Sequence, residues 1–177
     1  MDYFNNKKIV LKNGLEILIR PLKYTDKKEL LKFYSELSDK SRRQLFQNHR
    51  PVETWRTVRI KSASLYTNGL AVDFKKTYSL VAVIEEGDVF KIIGDGRFFI
   101  DKSNIRAELY LVVHENYRGK GVGTKLMDEM LQVLKQLKVK EVYCYIDSDN
   151  LHMIKLIEKY GFNRENIDDV YLFWKRL

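Results

Sequence analysis

A chain of 177 residues with 45% apolar and 32% charged side chains can bury a real core and reads as a soluble globular protein. Its longest aliphatic run, Leu80 to Ile84, is far too short to cross a bilayer, no apolar stretch of a signal peptide follows the opening lysines, and a single cysteine, Cys144, excludes an internal disulfide. The net charge of +8 comes from basic residues scattered along the chain, which fits a lysine-rich surface or a polyanionic small ligand better than nucleic acid.

In chain order, Glu16 to Leu22 alternates as a first strand. Thr25-Asp26 with Glu29 resembles a helix start, and Leu30, Phe33, Tyr34 and Leu37 then fall on one helical face. Ser38-Asp39 caps a second helical segment running towards Gln47, and a further helix is expected within Pro51 to Asn68. Tyr78 to Glu86 turns through Gly87 into Phe90 to Asp101, and Arg106 to His114 makes the next strand. A long amphipathic helix follows from Gly121 to Leu137, with Val122, Leu126, Met130, Leu134 and Leu137 on one stripe. A strand at Glu141–Asp147, a helix at Asn150–Tyr160 and a closing strand at Val170–Lys175 complete a mixed α/β pattern. With only two prolines and no repeat or linker, residues 1–177 are expected to form one domain, located in the cytoplasm. Cys144 lies inside the apolar run Val142 to Ile146 with no base adjacent, and core packing is its expected role.

The chemistry concentrates in Leu111-Val112-Val113-His114-Glu115-Asn116-Tyr117-Arg118-Gly119-Lys120-Gly121-Val122-Gly123-Thr124. An apolar strand enters a turn with three glycines in five residues, and the turn opens a helix. Glycine allows close approach of backbone to a ligand, and the first helical amides lack internal partners and carry partial positive charge. Such a junction binds anions, and the expected guest is a phosphate or pyrophosphate, with Arg118 and Lys120 adding charge. The spacing matches neither a P-loop nor the Gly-x-Gly-x-x-Gly dinucleotide fingerprint.

Arg118-x-x-Gly121-x-Gly123 does resemble the pyrophosphate signature of the GNAT (Gcn5-related N-acetyltransferase) family. The run Asn150-Leu151-His152-Met153 through Tyr160-Gly161-Phe162 resembles that family's second signature, an Asn-led helix ending in Gly-Phe. The resemblance is close from Arg106 to the end and looser over Glu16 to Leu37. It implies a central, mostly antiparallel, twisted sheet of about six to seven strands flanked by helices. It also implies an enzyme, an N-acetyltransferase with acetyl-CoA as donor. The pantetheine arm of the donor would pair with the backbone of Leu111, Val112 and Val113. Its pyrophosphate would rest on the amides of Gly119, Lys120, Gly121, Val122, Gly123 and Thr124 near Arg118, and Asn150 would reach the arm.

Many family members carry a tyrosine where this chain has Ile157, which cannot protonate a leaving thiolate; Tyr160 is expected to pack against the core. In that respect the chain is similar to the Pat-type protein lysine acetyltransferases, as it is in Ala107-Glu108 and in Leu37-Ser38-Asp39-Lys40-Ser41-Arg42 with Phe46. That likeness makes Glu108 the general base. A lysine ammonium of pKa about 10.4 must lose a proton before it attacks a thioester, and a carboxylate in a partly desolvated cleft has its pKa raised towards the useful range. Transfer of acetyl to a protein lysine by direct attack is therefore the leading expectation. Pat-type enzymes are often joined to a regulatory domain, for which this chain has no room. The alternatives are transfer to a small amine or a protein N-terminus, or a non-catalytic acyl-CoA-binding module. His114, at a strand end, is expected to be a surface or hydrogen-bonded group, and the three histidines and one cysteine show no metal-ligand spacing, so no metal is expected. The acceptor groove falls within Leu31 to Asn68 and the last strands, segments whose residues say little about its chemistry.

Overall fold

A computed structural model describes residues 6–46, 77–87 and 89–177. The helix expected within Pro51 to Asn68 lies outside them, as does much of the expected acceptor groove. Eight strands occur among the described residues: β1 (Lys7–Val10), β2 (Glu16–Pro21), β3 (Thr77–Glu86), β4 (Val89–Ile100), β5 (Arg106–Val113), β6 (Glu141–Asp147), β7 (Asn163–Ile167) and β8 (Val170–Arg176). The helices are α1 (Lys27–Glu36), α2 (Asp39–Phe46), α3 (Val122–Gln136) and α4 (Leu151–Lys159). All eight strands join one sheet in the order β1-β2-β3-β4-β5-β6-β8-β7. β5 and β6 run parallel, and every other neighbouring pair described is antiparallel.

The sheet has eight strands where six to seven were expected, because β1 and β7 escape the hydrophobic pattern. β7 is exposed along its whole length and β1 alternates between half-buried and exposed. As edge strands they are held by backbone pairing to β8 and β2, which leaves no apolar alternation in the sequence.

Two cores sit on opposite faces of this sheet. On one face α3 crosses β3, β4 and β5. It buries Val122, Leu126, Met127, Met130, Leu131, Val133 and Leu134, each stabilising by about 1.5–3 kcal/mol when fully removed from water. Close approach of that helix depends on Gly94 and Gly96 of β4. A Cβ at either would come within 3.0 Å of Leu126 Cδ1 or Met130 Sδ. On the other face, Leu30, Phe33 and Tyr34 of α1 pack on Val81, Val83, Ile92 and Val112. Beneath α1, Tyr34 donates to Asp95, whose carboxylate also takes Arg97 Nε at 2.8 Å and Ser79 Oγ at 3.0 Å, so these buried polar groups satisfy one another. The start of α1 departs from the capping expected at Thr25-Asp26. Residues 24–26 form a single 3-10 turn, and the Asp26 carboxylate takes the Lys23 amide at 2.7 Å and both Arg20 nitrogens at 2.6 and 2.7 Å. Burial pushes the Asp26 pKa up, but the Arg20 hydrogen bonds outweigh it and the net shift is downward. No helix among the described residues is long and apolar enough to cross a membrane.

Candidate active site

The parallel pairing of β5 with β6 lasts three rungs, Arg106 with Glu141, Ala107 with Val142 and Glu108 with Tyr143, and then the strands part. The wedge between them is a cleft of about 350 Å³. Its walls are Leu109 to Val113 on one side and Cys144 to Asp147 on the other. Because His114 N donates to Ile93 O and the antiparallel ladder alternates, the even-numbered residues of β5 direct their backbone groups at β4. Those of Leu109, Leu111 and Val113 therefore face the cleft, where β6 no longer meets them. An extended ligand bearing amides could pair there as an additional strand would.

At the wide end, the chain leaves β5 through a 3-10 turn at Glu115–Tyr117 and enters α3 through the glycine loop. Gly119 and Gly121 have φ of +71° and +94°, values that side chains rarely tolerate, and Gly121 is the N-cap of α3. The first helical bond runs from Lys125 N to Gly121 O at 3.0 Å. The amides of Val122, Gly123 and Thr124 thus open the helix without intrahelical partners, as an anion requires. Gly119, Gly121, Gly123 and Thr124 line the cleft, whereas Lys120 and the side chain of Val122 do not. Lys120 Nζ sits 5.2 Å over the Tyr117 ring, and Val122 is a core residue at 1% exposure, so only its amide is on offer.

On the opposite rim Asn150 is the N-cap of α4, its Oδ1 accepting from Met153 N at 3.3 Å, and it lines the cleft together with His152, Met153 and Leu156. Ser41 and Gln44 of α2 lie over the same space.

The sequence model of the Acetyltransferase (GNAT) family matches residues 34–162, well over half the chain. The chain belongs to the GNAT acetyltransferase family. Among its relatives is a probable spermine N(1)-acetyltransferase of Bacillus subtilis subsp. natto, 33% identical over 103 residues. That match takes in 58% of this chain and 59% of the relative, so the chain spans little more than half the relative's length. Acetyltransferase Pat of Mycolicibacterium smegmatis is 27% identical over 108 residues, 60% of this chain and 32% of that protein. In fold, the chain is similar to the GNAT domain of S. lividans PAT, with a TM-score of 0.77, 21% identity and 97% of each chain covered. It is also similar to the PaiA N-acetyltransferase of Thermoplasma acidophilum in complex with coenzyme A, with a TM-score of 0.67, 22% identity, and 91% and 99% covered.

Within this GNAT fold the residues singled out from sequence do not all share the cleft. Glu108 occupies the last rung before the strands part, opposite Phe99 and Tyr143, and is 3% exposed. It sits at the apex, one residue short of the lining, on the sheet face that carries Val112 and α1. Cys144 does line the cleft, but burial pushes its thiol pKa up and the neighbouring Glu108 charge pushes it further, the reverse of what a nucleophile needs. His114 is 8% exposed, its Nδ1 accepting from Asn116 N at 3.2 Å, which caps the 3-10 turn, and its ring packs near Phe33 and Tyr117. Tyr160 is fastened elsewhere. Its hydroxyl donates to Asp128 Oδ1 at 2.6 Å and lies 2.9 Å from Thr124 O, and burial with the Asp128 hydrogen bond raises its pKa.

Arg118 lines the cleft, yet two of its nitrogens are engaged by protein. Nε donates to Val113 O at 2.9 Å and Nη2 to Ser41 Oγ at 2.8 Å. The partnership of Arg118 with Ser41 and Glu115 was not foreseen from sequence, nor was the Asp95–Arg97–Tyr34 cluster. Both join residues 60 or more positions apart, except for the local Glu115–Arg118 and Asp95–Arg97 pairs, and no local pattern marks them.

Proposed function

We propose that this protein is an acetyl-CoA-dependent N-acetyltransferase that transfers acetyl to a lysine ε-amino group of a protein, with Glu108 as general base. The observation that carries the donor assignment is the inner edge of β5, left by β6 after Glu108, leading directly into the open amides of α3. That edge suits the amide-bearing pantetheine arm, and the amides of Val122, Gly123 and Thr124, with the positive-φ turns at Gly119 and Gly121, suit its pyrophosphate. Leu111 and Val113 would offer the pairing groups, Val112 between them directing its own at β4; Arg118 would flank the phosphate end, with Lys120 outside the lining, and Asn150 would face the arm from the other wall. The donor would supply the acetyl thioester. Eight strands in one sheet support reading the chain as a single acetyltransferase domain.

The chain's own residues would then manage one proton and one orientation. Glu108 stands at the apex, where the narrow end of the cleft meets the face covered by α1, and from there it would take the proton of an incoming ammonium. Neither Ile157, fully buried, nor Tyr160, engaged with Asp128, is placed to protonate a departing thiolate. With a thiol pKa of roughly 8–9 no dedicated acid is required. The protein-lysine acceptor is supported by the likeness to Pat. The named spermine acetyltransferase relative favours a second reading, a small polyamine acceptor, for which the same base and donor site serve.

Labelled acetyl-CoA offered with cell-extract protein and with a panel of small amines separates these. Label on protein lysines, lost in Glu108→Gln, supports the full proposal. Label on polyamines alone keeps the donor and overturns the acceptor, and absence of coenzyme A binding overturns the donor site.

A further inference from the structure

Helix α2 is fastened to both rims of the cleft, and by unequal means. On the β5–α3 rim, Glu115 Oε1 receives Ser38 N at 3.1 Å and lies 2.8 Å from Ser38 Oγ, 2.5 Å from Ser41 Oγ and 3.4 Å from Arg118 Nη2. Arg118 also donates to Ser41 Oγ at 2.8 Å and, through Nε, to Val113 O at 2.9 Å. One carboxylate thus joins the first turn of α2, the phosphate-loop arginine and the end of β5. The Glu115 and Arg118 side chains are each only 30% exposed, and the bonds are charge-assisted. On the β6–α4 rim, Asp149 takes Lys40 Nζ at 2.9 Å and Gln44 Nε2 at 2.8 Å. There the side chains are 58% and 62% exposed, so water and salt screen the pair. Glu115 is the firm attachment and Asp149 the weak one.

The placement of α2 gives this asymmetry a consequence. Ser41 and Gln44 project from α2 into the cleft lining, so a donor that fills the cleft touches that helix. Its pyrophosphate end, on the amides of α3, lies beside Arg118. Through Leu37 and Ser38, α2 continues from α1, the helix that covers the sheet face on which Glu108 sits. We propose that Glu115 is a positioning residue that couples the two substrates: it ties α2 to the phosphate loop, so that donor binding fixes the helix bordering the acceptor's approach. This rests on the donor assignment above.

Hydrogen exchange of α2 with and without coenzyme A, alongside calorimetric coenzyme A affinity, tests the proposal without any need to know the acceptor. In wild type, coenzyme A is expected to slow exchange across α2 by about tenfold, within the usual range of coupling between sites. In Glu115→Ala that slowing falls below about twofold while coenzyme A still binds within about fivefold of wild type. Glu115→Gln, which keeps an acceptor oxygen for Ser38 and Ser41, restores at least half of it, a rescue that a general loss of fold would not show. Ser38→Ala, which removes a bond to Glu115 from outside the cleft lining, acts in the same direction as Glu115→Ala, and it decides the matter in the same terms should Glu115→Ala fail to fold or lose coenzyme A altogether. Unchanged α2 slowing in Glu115→Ala with coenzyme A bound overturns the coupling and leaves the donor assignment intact, as does a wild-type α2 indifferent to bound coenzyme A. A wild type that binds no coenzyme A overturns the donor assignment, and the coupling with it.

Discussion

Arg118 Nε donates to the carbonyl of Val113 at 2.9 Å, so the arginine of the glycine loop is tied back to the last residue of the strand that the loop leaves. The bond occupies one of the backbone acceptors that the parted strand would otherwise turn towards the cleft. It also limits what Arg118 can offer an anion, since its Nη2 is held by Ser41. On the donor reading proposed above, a pyrophosphate would meet chiefly backbone amides.

Glu108→Gln is expected to lower kcat by on the order of 100-fold or more, the usual contribution of a positioned base. Coenzyme A affinity, measured by calorimetry, stays within about threefold, because Glu108 lies outside the cleft lining. Equal loss of coenzyme A binding and turnover would point to a structural role for this buried carboxylate.

Gly121→Ala forces a side chain to φ near +94°. The nearest atom to an added Cβ is Leu11 Cδ2 at 3.8 Å, an ordinary van der Waals contact, so strain rather than collision sets the cost. A loss of about 1–2 kcal/mol in unfolding free energy is expected. Coenzyme A affinity falls as well if the amides of α3 are displaced, and denaturant unfolding with calorimetry reads both.

Gly94→Ala probes the helix-on-sheet contact. The new Cβ would meet Leu126 Cδ1 at 3.0 Å, a tight contact with a fully buried side chain, while Val112 O and Val122 Cγ1 at 3.4 Å close off the space beside it. Destabilisation of about 1–3 kcal/mol is expected from overpacking, measured as a shift of the urea midpoint at constant slope.

Acid lability is expected to report on Glu115. Burial alone would raise its pKa, but hydrogen bonds from Ser41 and Ser38 hold the carboxyl down at about 2 from an ordinary 4.5. A depressed folded-state pKa stabilises the native form above the unfolded pKa, and that stabilisation is lost as pH falls from 4.5 towards 2. Glu115→Gln should therefore flatten the fall in stability over this interval, which urea unfolding at stepped pH would reveal. Unaltered slopes would mean that the carboxylate titrates normally.

Tyr160→Phe removes a hydroxyl that donates to Asp128 and lies 2.9 Å from the carbonyl of Thr124, and Tyr160 itself is outside the cleft lining. Stability is expected to drop by about 0.5–1.5 kcal/mol with kcat unchanged. A fall in kcat of tenfold or more would return the tyrosine to consideration as an acid.

Most elements were legible because their signals are local. The stripe of Val122, Leu126, Met130 and Leu134 predicts a helix at Gly121–Leu137, and α3 spans Val122–Gln136. Glu141–Asp147 is a strand over the very residues expected, and Asn150 caps its helix as its residue type suggests. The glycine turn was equally readable, since positive φ at Gly119 and Gly121 is a property of the backbone at those residues. By itself, then, the sequence determined where the chain turns into α3 and which face that helix buries.

What only the tertiary structure decided is the separation of β5 from β6 after Glu108 and everything that follows from it. Parting of two strands depends on register with a segment more than 30 residues away, and no periodicity records it. The same holds for Asp149, which draws Lys40 and Gln44 from across the cleft, and for Glu115, which gathers Ser38 and Ser41. Such contacts are made by polar side chains that look, in one dimension, like any solvated surface. Their meaning arises once the sheet has brought two distant loops to the same rim, because hydrogen bonds select partners by position within about 3 Å and not by separation along the chain.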